Sequence, residues 1–153
     1  MNLNPSNQLN LYGLENNLRL FISLYKKKKL PNKILLTGQK GVGKSTLAYH
    51  LINFILSENE EYSYDEKNLK INILNKSFKL IAGNVSPNFH LIDISVGSKS
   101  INIDQIRDLI KNLNKSSFNN KPNFILIDNT EYLNKNSINI LLKDLEEPNK
   151  NTF

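Results

Sequence analysis

One segment of the sequence combines the residue types that bind the phosphates of a nucleotide. Residues 38–45 read Gly-Gln-Lys-Gly-Val-Gly-Lys-Ser and match the P-loop pattern G-x-x-x-x-G-K-[ST]. Glycines in this pattern adopt positive φ and carry no side chain, so that successive backbone N–H groups curl around a phosphate. Lys44 is expected to reach the β- and γ-phosphates, and the Ser45 hydroxyl is expected to ligate Mg²⁺. The predicted cofactor is ATP or ADP with Mg²⁺, and the predicted contact residues are Gly38, Gln39, Lys40, Gly41, Val42, Gly43, Lys44, Ser45 and Thr46.

A second candidate lies at the end of an apolar run further along the chain. Phe124–Ile127 is followed by Asp128, which fits the Walker B pattern, in which a carboxylate at a strand end holds the magnesium shell. In hydrolysing proteins with this arrangement the next residue is usually Glu, but here it is Asn129. Glu131 either substitutes for that carboxylate or is an ordinary solvated loop residue. The residues therefore predict a magnesium site at Ser45 and Asp128, with weak or absent ATPase activity.

The spacing of apolar residues predicts the elements that carry the P-loop. Steps of three and four residues between Asn10 and Leu30, and again from Lys44 to about Ser57, predict two amphipathic helices. Lys33–Thr37, between them, reads as a short buried strand. The stretch Glu58–Asn88 is polar and weakly patterned. We expect an insertion or a mobile loop there, with a possible ribbon over Leu69–Ile81.

The second half of the sequence predicts strands that alternate with helices. Phe89–Ile94 and Phe124–Ile127 read as buried strands. A helix is expected to begin at Asn102 or Asp104. Its apolar residues should lie on one face, and they are Ile103, Ile106, Leu109, Ile110 and Leu113. A last helix, capped by Asn136 or Ser137 and ended by Pro148, is expected to bury Ile138, Leu141, Leu142 and Leu145. This alternation predicts an α/β fold with a mostly parallel sheet that is covered on both faces.

Length and composition exclude several classes of protein. A length of 153 residues suits one domain, and no apolar run approaches the roughly 20 residues of a membrane-spanning helix. The start of the chain lacks the features of a signal peptide, so a cytoplasmic location is expected. The absence of Cys excludes a thiolate zinc site, and neither His has a second ligand at metal-binding spacing. The net charge of +6 is explained either by A/T-rich codon usage or by contact with nucleic acid.

A longer motif carries a resemblance to a known family. Residues 139–148, N-I-L-L-K-D-L-E-E-P, resemble the N-A-L-L-K-x-L-E-E-P stretch of the bacterial DNA polymerase III clamp-loader subunits gamma/tau and delta-prime. Tyr12–Glu15 is similar to the family's x-G-H-E motif, although Leu14 replaces the His. Further similar segments are Leu30–Gly38, Ser86–His90 and Ile103–Arg107. The likeness covers nearly the whole chain and is weakest over residues 58–81.

The resemblance implies a P-loop NTPase fold of the AAA+ type, a three-layer sandwich with a mostly parallel sheet. Residues 1–153 would then be the N-terminal part of its nucleotide-binding domain, without the sensor 1 strand, arginine finger, lid and collar. The P-loop strand would lack its neighbours in that sheet, so we expect unpaired backbone at Ile34–Thr37 and poor stability of the isolated polypeptide. By family analogy, Leu11–Gly13 would lie near the adenine.

Two departures from the family pattern favour the delta-prime branch: the absence of a four-Cys zinc module and the presence of Asn129. The resemblance then implies a stator-like subunit that helps load the sliding clamp on primed DNA. Its partners would be gamma/tau and delta, with clamp and DNA reached through the complex and no membrane partner. The alternative is an active gamma/tau-type motor in which another residue, such as Glu131, supplies the base. A small-molecule P-loop kinase is a third reading, which the motif at residues 139–148 disfavours.

Overall fold

The computed structural model describes residues 4–95, 97–113, 119–146 and 151–153. The described chain contains helices and a small parallel sheet, so its class is α/β, as the sequence predicts. It divides into two compact units, Met1–Ser86 and Pro87–Phe153. The P-loop belongs to the first unit and the Walker B aspartate to the second.

The first unit is built around one almost fully buried helix. Helix α2 (Lys44–Leu56) is contacted by α1 (Glu15–Lys26), by α3 (Lys76–Ala82) and by a short 3-10 helix at Pro5–Asn7. Helix α2 lies in contact with neighbours on several sides because apolar residues occupy most of its turns. Its buried members are Leu47, Ala48, Tyr49, His50, Leu51, Ile52, Asn53, Ile55 and Leu56. The predicted positions of α1 and α2 are thus confirmed, with α1 shorter than its apolar spacing indicated.

The strand predicted at Lys33–Thr37 is not formed. This segment pairs with no strand in the described part of the chain. Its apolar side chains are also not buried, since Leu35 is 78% exposed and Ile34 is 38% exposed. A β-strand obtains its hydrogen bonds and its burial from the strands it pairs with, and this segment has no such pairing among the described residues. The prediction of a buried strand is therefore wrong, whereas the expectation of unpaired backbone at Ile34–Thr37 is met.

Residues 58–86 pack into the first unit, and the ribbon predicted at Leu69–Ile81 is wrong. The end of that range is helix α3, and β-pairing is limited to isolated antiparallel bridges at Lys70 with Asn10 and with Asp65. Tyr64, Leu69 and Ile71 are buried. These three side chains make the segment a part of the core, which its polar composition did not indicate.

The second unit contains the parallel sheet. Strands β1 (Phe89–Ile92) and β2 (Phe124–Ile127) pair in parallel, and Ile92 stands opposite Ile127. Helix α4 (Ile103–Leu113) connects them, and a 3-10 helix (Thr130–Tyr132) and helix α5 (Lys135–Glu146) follow β2. Both strands and α4 lie where the apolar pattern predicted them, but β1 ends at Ile92 and not at Ile94, and its Leu91 is 42% exposed and not buried. The buried cluster of this unit consists of Ile92, Ile101, Ile106, Leu109 and Leu141.

Strand β2 has a neighbour on each side. One is β1, and the other is the short segment 151–153, which forms a parallel bridge between Thr152 and Asn123. The N–H of Ile125 donates to the carbonyl of Phe153 at 2.9 Å. The ring of Phe153 stacks on Phe124 with 5.4 Å between centroids. Strand β2 is therefore an interior strand, which explains its wholly apolar sequence.

The N-terminus of α5 differs from the prediction. The helix begins at Lys135, and its cap is Asn134, whose Oδ1 accepts from the N–H of Ser137 at 2.8 Å. With this start the buried face carries Ser137 and Leu141, whereas Ile138 is 39% exposed. The proposed caps Asn136 and Ser137 and the burial of Ile138 are thus wrong. The side chains of Leu113, Leu142 and Leu145, together with Pro148, lie outside the described residues.

Candidate nucleotide-binding site

The P-loop ends directly at the N-terminus of α2. Gly41 has φ 84° and Gly43 has φ 95°, and Gly43 is the residue that precedes the helix. A Cβ atom at Gly41 would meet nothing within 4 Å. Glycine is therefore favoured there by the left-handed backbone and not by crowding. The two conformations turn the loop so that it leads into the positive end of the helix dipole, where anions are stabilised.

Lys44 closes this loop from inside. Its Nζ donates to the carbonyl of Gly38 and to the carbonyl of Gln39, each at 2.9 Å. The ammonium group is thus held against the main chain of the loop at the start of α2. The site contains a fixed cation, glycines with positive φ and a helix N-terminus, which is the donor set that a phosphate group requires. The residues present fit a nucleotide phosphate.

The segment that precedes α1 lies beside the P-loop. A Cβ atom built on Gly43 would be 3.6 Å from Cδ1 of Leu14. The N–H of Gly13 donates to Oε1 of Glu15 at 2.9 Å, and Gly13 has φ 78°. The side chain of Tyr12 next to it is 79% exposed. The aliphatic side chain of Leu14 is therefore present at the end of the phosphate-binding loop.

In the second unit, two aspartates follow the two strands. Asp93 comes directly after β1, and Asp128 comes directly after β2. Asn129 adopts a left-handed conformation with φ 52°. Its N–H donates to Oδ1 of Asp128 at 2.9 Å, and its Nδ2 donates to Oδ1 of Asp93 at 2.8 Å. The residue that replaces the expected Glu thus bridges the two carboxylates.

Asp93 was missed by sequence reasoning, although a signal was present. It ends the second apolar strand of the sequence in the same way that Asp128 ends the third. Because Ile92 stands opposite Ile127, the residues that follow them emerge side by side at the carboxyl edge of the sheet. A comparison of the two strand ends would have identified the pair.

Glu131 lies in the 3-10 helix that follows β2, with an exposed side chain. Among the described residues, no hydrogen bond or ion pair holds its carboxylate. A general base has to be held within hydrogen-bond reach of its water. The structure shows no group that would position Glu131 for that role.

The two histidines, His50 and His90, are at least partly buried. His50 is fully buried, and its Nδ1 lies 2.8 Å from the hydroxyl of Tyr64. Burial lowers the pKa of His50 to about 4, and the hydrogen bond to the carbonyl of Gln8 opposes this shift. Burial also lowers the pKa of His90. Within the ranges that the structure describes, no group of three His, Cys, Asp or Glu side chains is arranged to hold a metal ion.

Basic side chains on α1 and α4 form ion pairs inside the chain. Lys26 forms an ion pair with Glu66 at 2.6 Å and lies over the ring of Phe54. Arg107 pairs with Asp104 at 3.3 Å on the exposed side of α4. A surface cleft of about 400 Å³ runs along α1, and its lining residues are Arg19, Ile22, Ser23, Lys26, Lys27 and Glu66. None of these lining residues belongs to the P-loop.

Comparison with known proteins gives a consistent result. A protein-family model described as DNA polymerase III, delta subunit, matches residues 13–153. The chain is 29% identical over 118 residues to DNA polymerase III subunit delta' of Pseudomonas aeruginosa, an alignment that covers 77% of this chain and 34% of that protein. It is 29% identical over 138 residues to subunit delta' of Bacillus subtilis, with coverage of 89% and 39%. It is 27% identical over 143 residues to subunit gamma/tau of Mycoplasma genitalium, with coverage of 94% and 22%. The chain therefore spans well under half the length of these relatives.

Proposed function

Because the chain belongs to the DNA polymerase III delta-subunit family, we propose that it acts in a clamp loader as a subunit of the delta-prime type. In this role it binds ATP or ADP through its P-loop and helps load the sliding clamp during DNA replication. Its own ATPase activity is weak or absent. Residues 1–153 form the N-terminal part of the nucleotide-binding domain of this subunit.

The observation that carries the proposal is the conformation of the P-loop around Lys44. The ammonium group is held by the carbonyls of Gly38 and Gln39 while Gly41 and Gly43 hold positive φ. A phosphate that enters this loop meets a cation already in place and the N-terminus of α2. The cost of ordering the loop is thus reduced before the ligand binds. The nucleotide-contacting residues are those of the motif, Gly38–Thr46, and Leu11–Gly13 lies on the adenine side.

The magnesium ion would be held by Ser45 and Asp128. A hydroxyl and a carboxylate are oxygen ligands, which are the ligands that Mg²⁺ prefers. When bound with the nucleotide, the ion neutralises phosphate charge. Asp128 is held for this purpose by the N–H of Asn129. No zinc ion is proposed, because the sequence contains no Cys to supply thiolate ligands.

The finer fold follows from the same assignment. We infer an AAA+ three-layer sandwich in which β1, β2 and the segment 151–153 form consecutive parallel strands. The support is the flanking of β2 on both sides and the α4 connection between β1 and β2.

Weak ATPase activity follows from the chemistry of Asn129. An amide cannot take a proton from water, so it cannot serve as the general base that a Glu supplies. Its side-chain nitrogen is also engaged, because it donates to Asp93. The remaining carboxylate of the segment, Glu131, is exposed and held by no group that the structure describes. Binding without rapid turnover suits a subunit that supports the complex and does not drive it.

The proposed partners are the other clamp-loader subunits, gamma/tau and delta. The sliding clamp and primed DNA are reached through the assembled complex, and the complex works in the cytoplasm. The names of the relatives support this assembly, since each is a subunit of DNA polymerase III. Of the helices in the described part of the chain, none has the length and apolar character that crossing a bilayer requires.

A second candidate is an active motor of the gamma/tau type. The support is the match to a gamma/tau subunit, which covers 94% of this chain at 27% identity. In this reading another carboxylate replaces the missing Glu. The choice between the two candidates depends on turnover and not on binding.

The test is reconstitution of the full-length protein with a gamma/tau subunit, a delta subunit and a sliding clamp. We expect a stable complex that contains the full-length protein and loads clamps on primed DNA. Lys44→Ala in this subunit should leave the total ATPase rate nearly unchanged, because the other subunits hydrolyse the ATP. A large loss of ATPase from Lys44→Ala would favour the motor reading. Failure to join the complex would contradict both candidates.

A further inference from the structure

Two hydrogen bonds connect Asp93 to Asp128 through a single residue. The side-chain Nδ2 of Asn129 donates to Oδ1 of Asp93 at 2.8 Å. The backbone N–H of Asn129 donates to Oδ1 of Asp128 at 2.9 Å. The orientation of the Asp128 carboxylate therefore depends on the conformation of Asn129, and that conformation is tied to Asp93.

The backbone conformation of Asn129 requires a stabilising contact. Its φ and ψ are 52° and 49°, in the left-handed region, which is unfavourable for residues other than glycine. Asn tolerates this region better than most residues, but an external contact is needed to select it over the alternatives. The bond to Asp93 is such a contact. Without it, the N–H of Asn129 is free to turn away from Asp128.

Asp93 is itself held from two sides. Its Oδ1 accepts from the N–H of Ile94 at 2.7 Å, and its backbone carbonyl accepts from Nε2 of Gln105 on α4 at 3.0 Å. The acceptor is thus fixed before Asn129 meets it. A fixed acceptor transmits orientation, whereas a mobile one would follow its donor.

The position of Asp93 is a consequence of strand register. Since β1 and β2 are parallel and Ile92 stands opposite Ile127, Asp93 and Asp128 leave neighbouring strands at the same level, and the backbones of such strands lie about 5 Å apart. Neighbouring carboxylates repel each other. Asn129 supplies an N–H donor to each of them, which offsets that repulsion. A third carboxylate at position 129 would not.

We propose that Asp93 is a positioning residue of the magnesium–nucleotide site. It holds Asn129 in the left-handed conformation, and Asn129 holds the Asp128 carboxylate in the orientation that binds magnesium. This inference rests on the proposed function, because it takes Asp128 as a magnesium ligand. It also means that Asn129 has a positive role in binding and is more than a lost catalytic Glu.

The test compares nucleotide affinity with and without magnesium. ADP is titrated into the full-length protein by calorimetry, once with Mg²⁺ and once with EDTA. Asp93→Leu, which has similar volume and no acceptor, should weaken binding in Mg²⁺ by about 10-fold or more, as loss of a residue behind a metal ligand typically does. Its affinity in EDTA should stay within about 2-fold of wild type, because the P-loop is unchanged. Asp93→Asn keeps an acceptor oxygen and should retain most of the magnesium effect.

If Asp93→Leu does not fold, a double variant that exchanges the two side chains tests the same hydrogen bond. In Asp93→Asn/Asn129→Asp the donor and the acceptor trade places, so one hydrogen bond between the two side chains remains possible. The magnesium effect should be close to that of wild type. Asn129→Asp alone places two carboxylates at a 2.8 Å contact and should lose the effect.

The outcomes separate this inference from the proposed function. A wild-type protein that binds no ADP overturns both. Wild-type binding that is equal in Mg²⁺ and EDTA overturns the magnesium ligands and with them the role of Asp93, but leaves nucleotide binding by the P-loop intact. An Asp93→Leu variant that keeps the full magnesium effect overturns only the role of Asp93. Equal losses in Mg²⁺ and in EDTA would mean that Asp93 is merely structural, which also contradicts the inference.

Discussion

The hydroxyl of Tyr64 lies 2.8 Å from Nδ1 of His50, inside the core of the first unit. The other ring nitrogen, Nε2, lies 3.2 Å from the carbonyl oxygen of Gln8. A carbonyl only accepts, so Nε2 carries the proton and Nδ1 accepts from Tyr64. This neutral imidazole connects the N-terminal segment, helix α2 and the loop after it. The segment that was expected to be an insertion is therefore bound to the helix that carries the P-loop.

The stability of the first unit should fall in mild acid because of His50. Its pKa is lowered from 6.5 to about 4 in the folded chain, so the unfolded state takes up a proton first as the pH drops. Stability from this residue is fully present above pH 6.5 and is lost as the pH falls toward 4, by roughly 3 kcal/mol in total. Unfolding of the full-length protein between pH 7.5 and 4.5 measures the effect. His50→Gln, which keeps a donor and an acceptor, should have a flatter pH profile; equal slopes for both proteins would refute the assignment.

Removal of the Tyr64 hydroxyl should destabilise the first unit at neutral pH. Tyr64→Phe leaves Nδ1 of His50 buried without its donor, and an unsatisfied buried polar group costs about 1–3 kcal/mol. The matched control is Tyr62→Phe, since Tyr62 is 40% exposed and its hydroxyl can bond to water. Denaturant unfolding of the full-length proteins should show a loss for Tyr64→Phe and little change for Tyr62→Phe. Equal behaviour of the two variants would contradict the hydrogen bond.

Asn75 should be essential for the packing of residues 58–81. Its Oδ1 accepts from the N–H of Phe78 at 2.7 Å and from Nδ2 of Asn53 at 3.2 Å, and its own Nδ2 donates to the carbonyl of Tyr62 at 2.9 Å. Asn75→Ala removes a helix cap and leaves buried donors unpaired, with an expected cost of about 2–3 kcal/mol. Amide hydrogen exchange should rise in α3 and in the loop around Tyr62. Lys76→Ala, at the exposed next position, should leave exchange unchanged, and protection of α3 in Asn75→Ala would count against this role.

Gly43 should be required for its backbone conformation. A Cβ there would meet only Leu14 at an ordinary 3.6 Å, so Gly43→Ala is penalised by its φ of 95° and not by a clash. The expected cost is about 1–2 kcal/mol, together with a loss of nucleotide affinity. Gly97 is the matched control, because it has φ 82° and open space around its Cβ position. Gly97→Ala should reduce stability by a similar amount without weakening nucleotide binding. Normal binding by Gly43→Ala would mean that this turn is not needed for the phosphates.

Local patterns predicted α1, α2, α4 and the two parallel strands, but not α3. The P-loop motif and the apolar steps after it fixed the start of α2 at Lys44, where the structure has it. Continuous apolar runs identified β1 and β2, although in the structure Leu91 of β1 is 42% exposed and three residues of β2 are only half-buried. The run Lys33–Thr37 has the same character, yet it forms no strand. Burial of a strand is a property of its neighbours, which the residues of the strand itself do not reveal.

The features of the fold and of the site that the sequence did not predict are held by polar side chains. Asn53, Asn75 and Ser77 are buried in the first unit, and apolar periodicity does not register such residues. The cap of α5 was placed too late because Asn134, Asn136 and Ser137 are all good capping residues. Asp93 was missed because strand pairing, and not sequence proximity, brings it to Asn129. Hydrogen bonds between distant residues are therefore the information that the sequence alone did not provide.

The most direct test of the account is nucleotide binding by the full-length protein and its Lys44→Ala variant. Lys44 is the cation that the P-loop holds at 2.9 Å from two carbonyls, and Lys33, exposed and outside the loop, provides the control. Titration with ADP in Mg²⁺ should give saturable one-to-one binding for wild type and for Lys33→Ala. It should be weakened at least about 10-fold in Lys44→Ala, since the lost charge–phosphate contact is worth more than about 1.4 kcal/mol. Absence of binding by wild type, or equal binding by Lys44→Ala, would contradict the central claim.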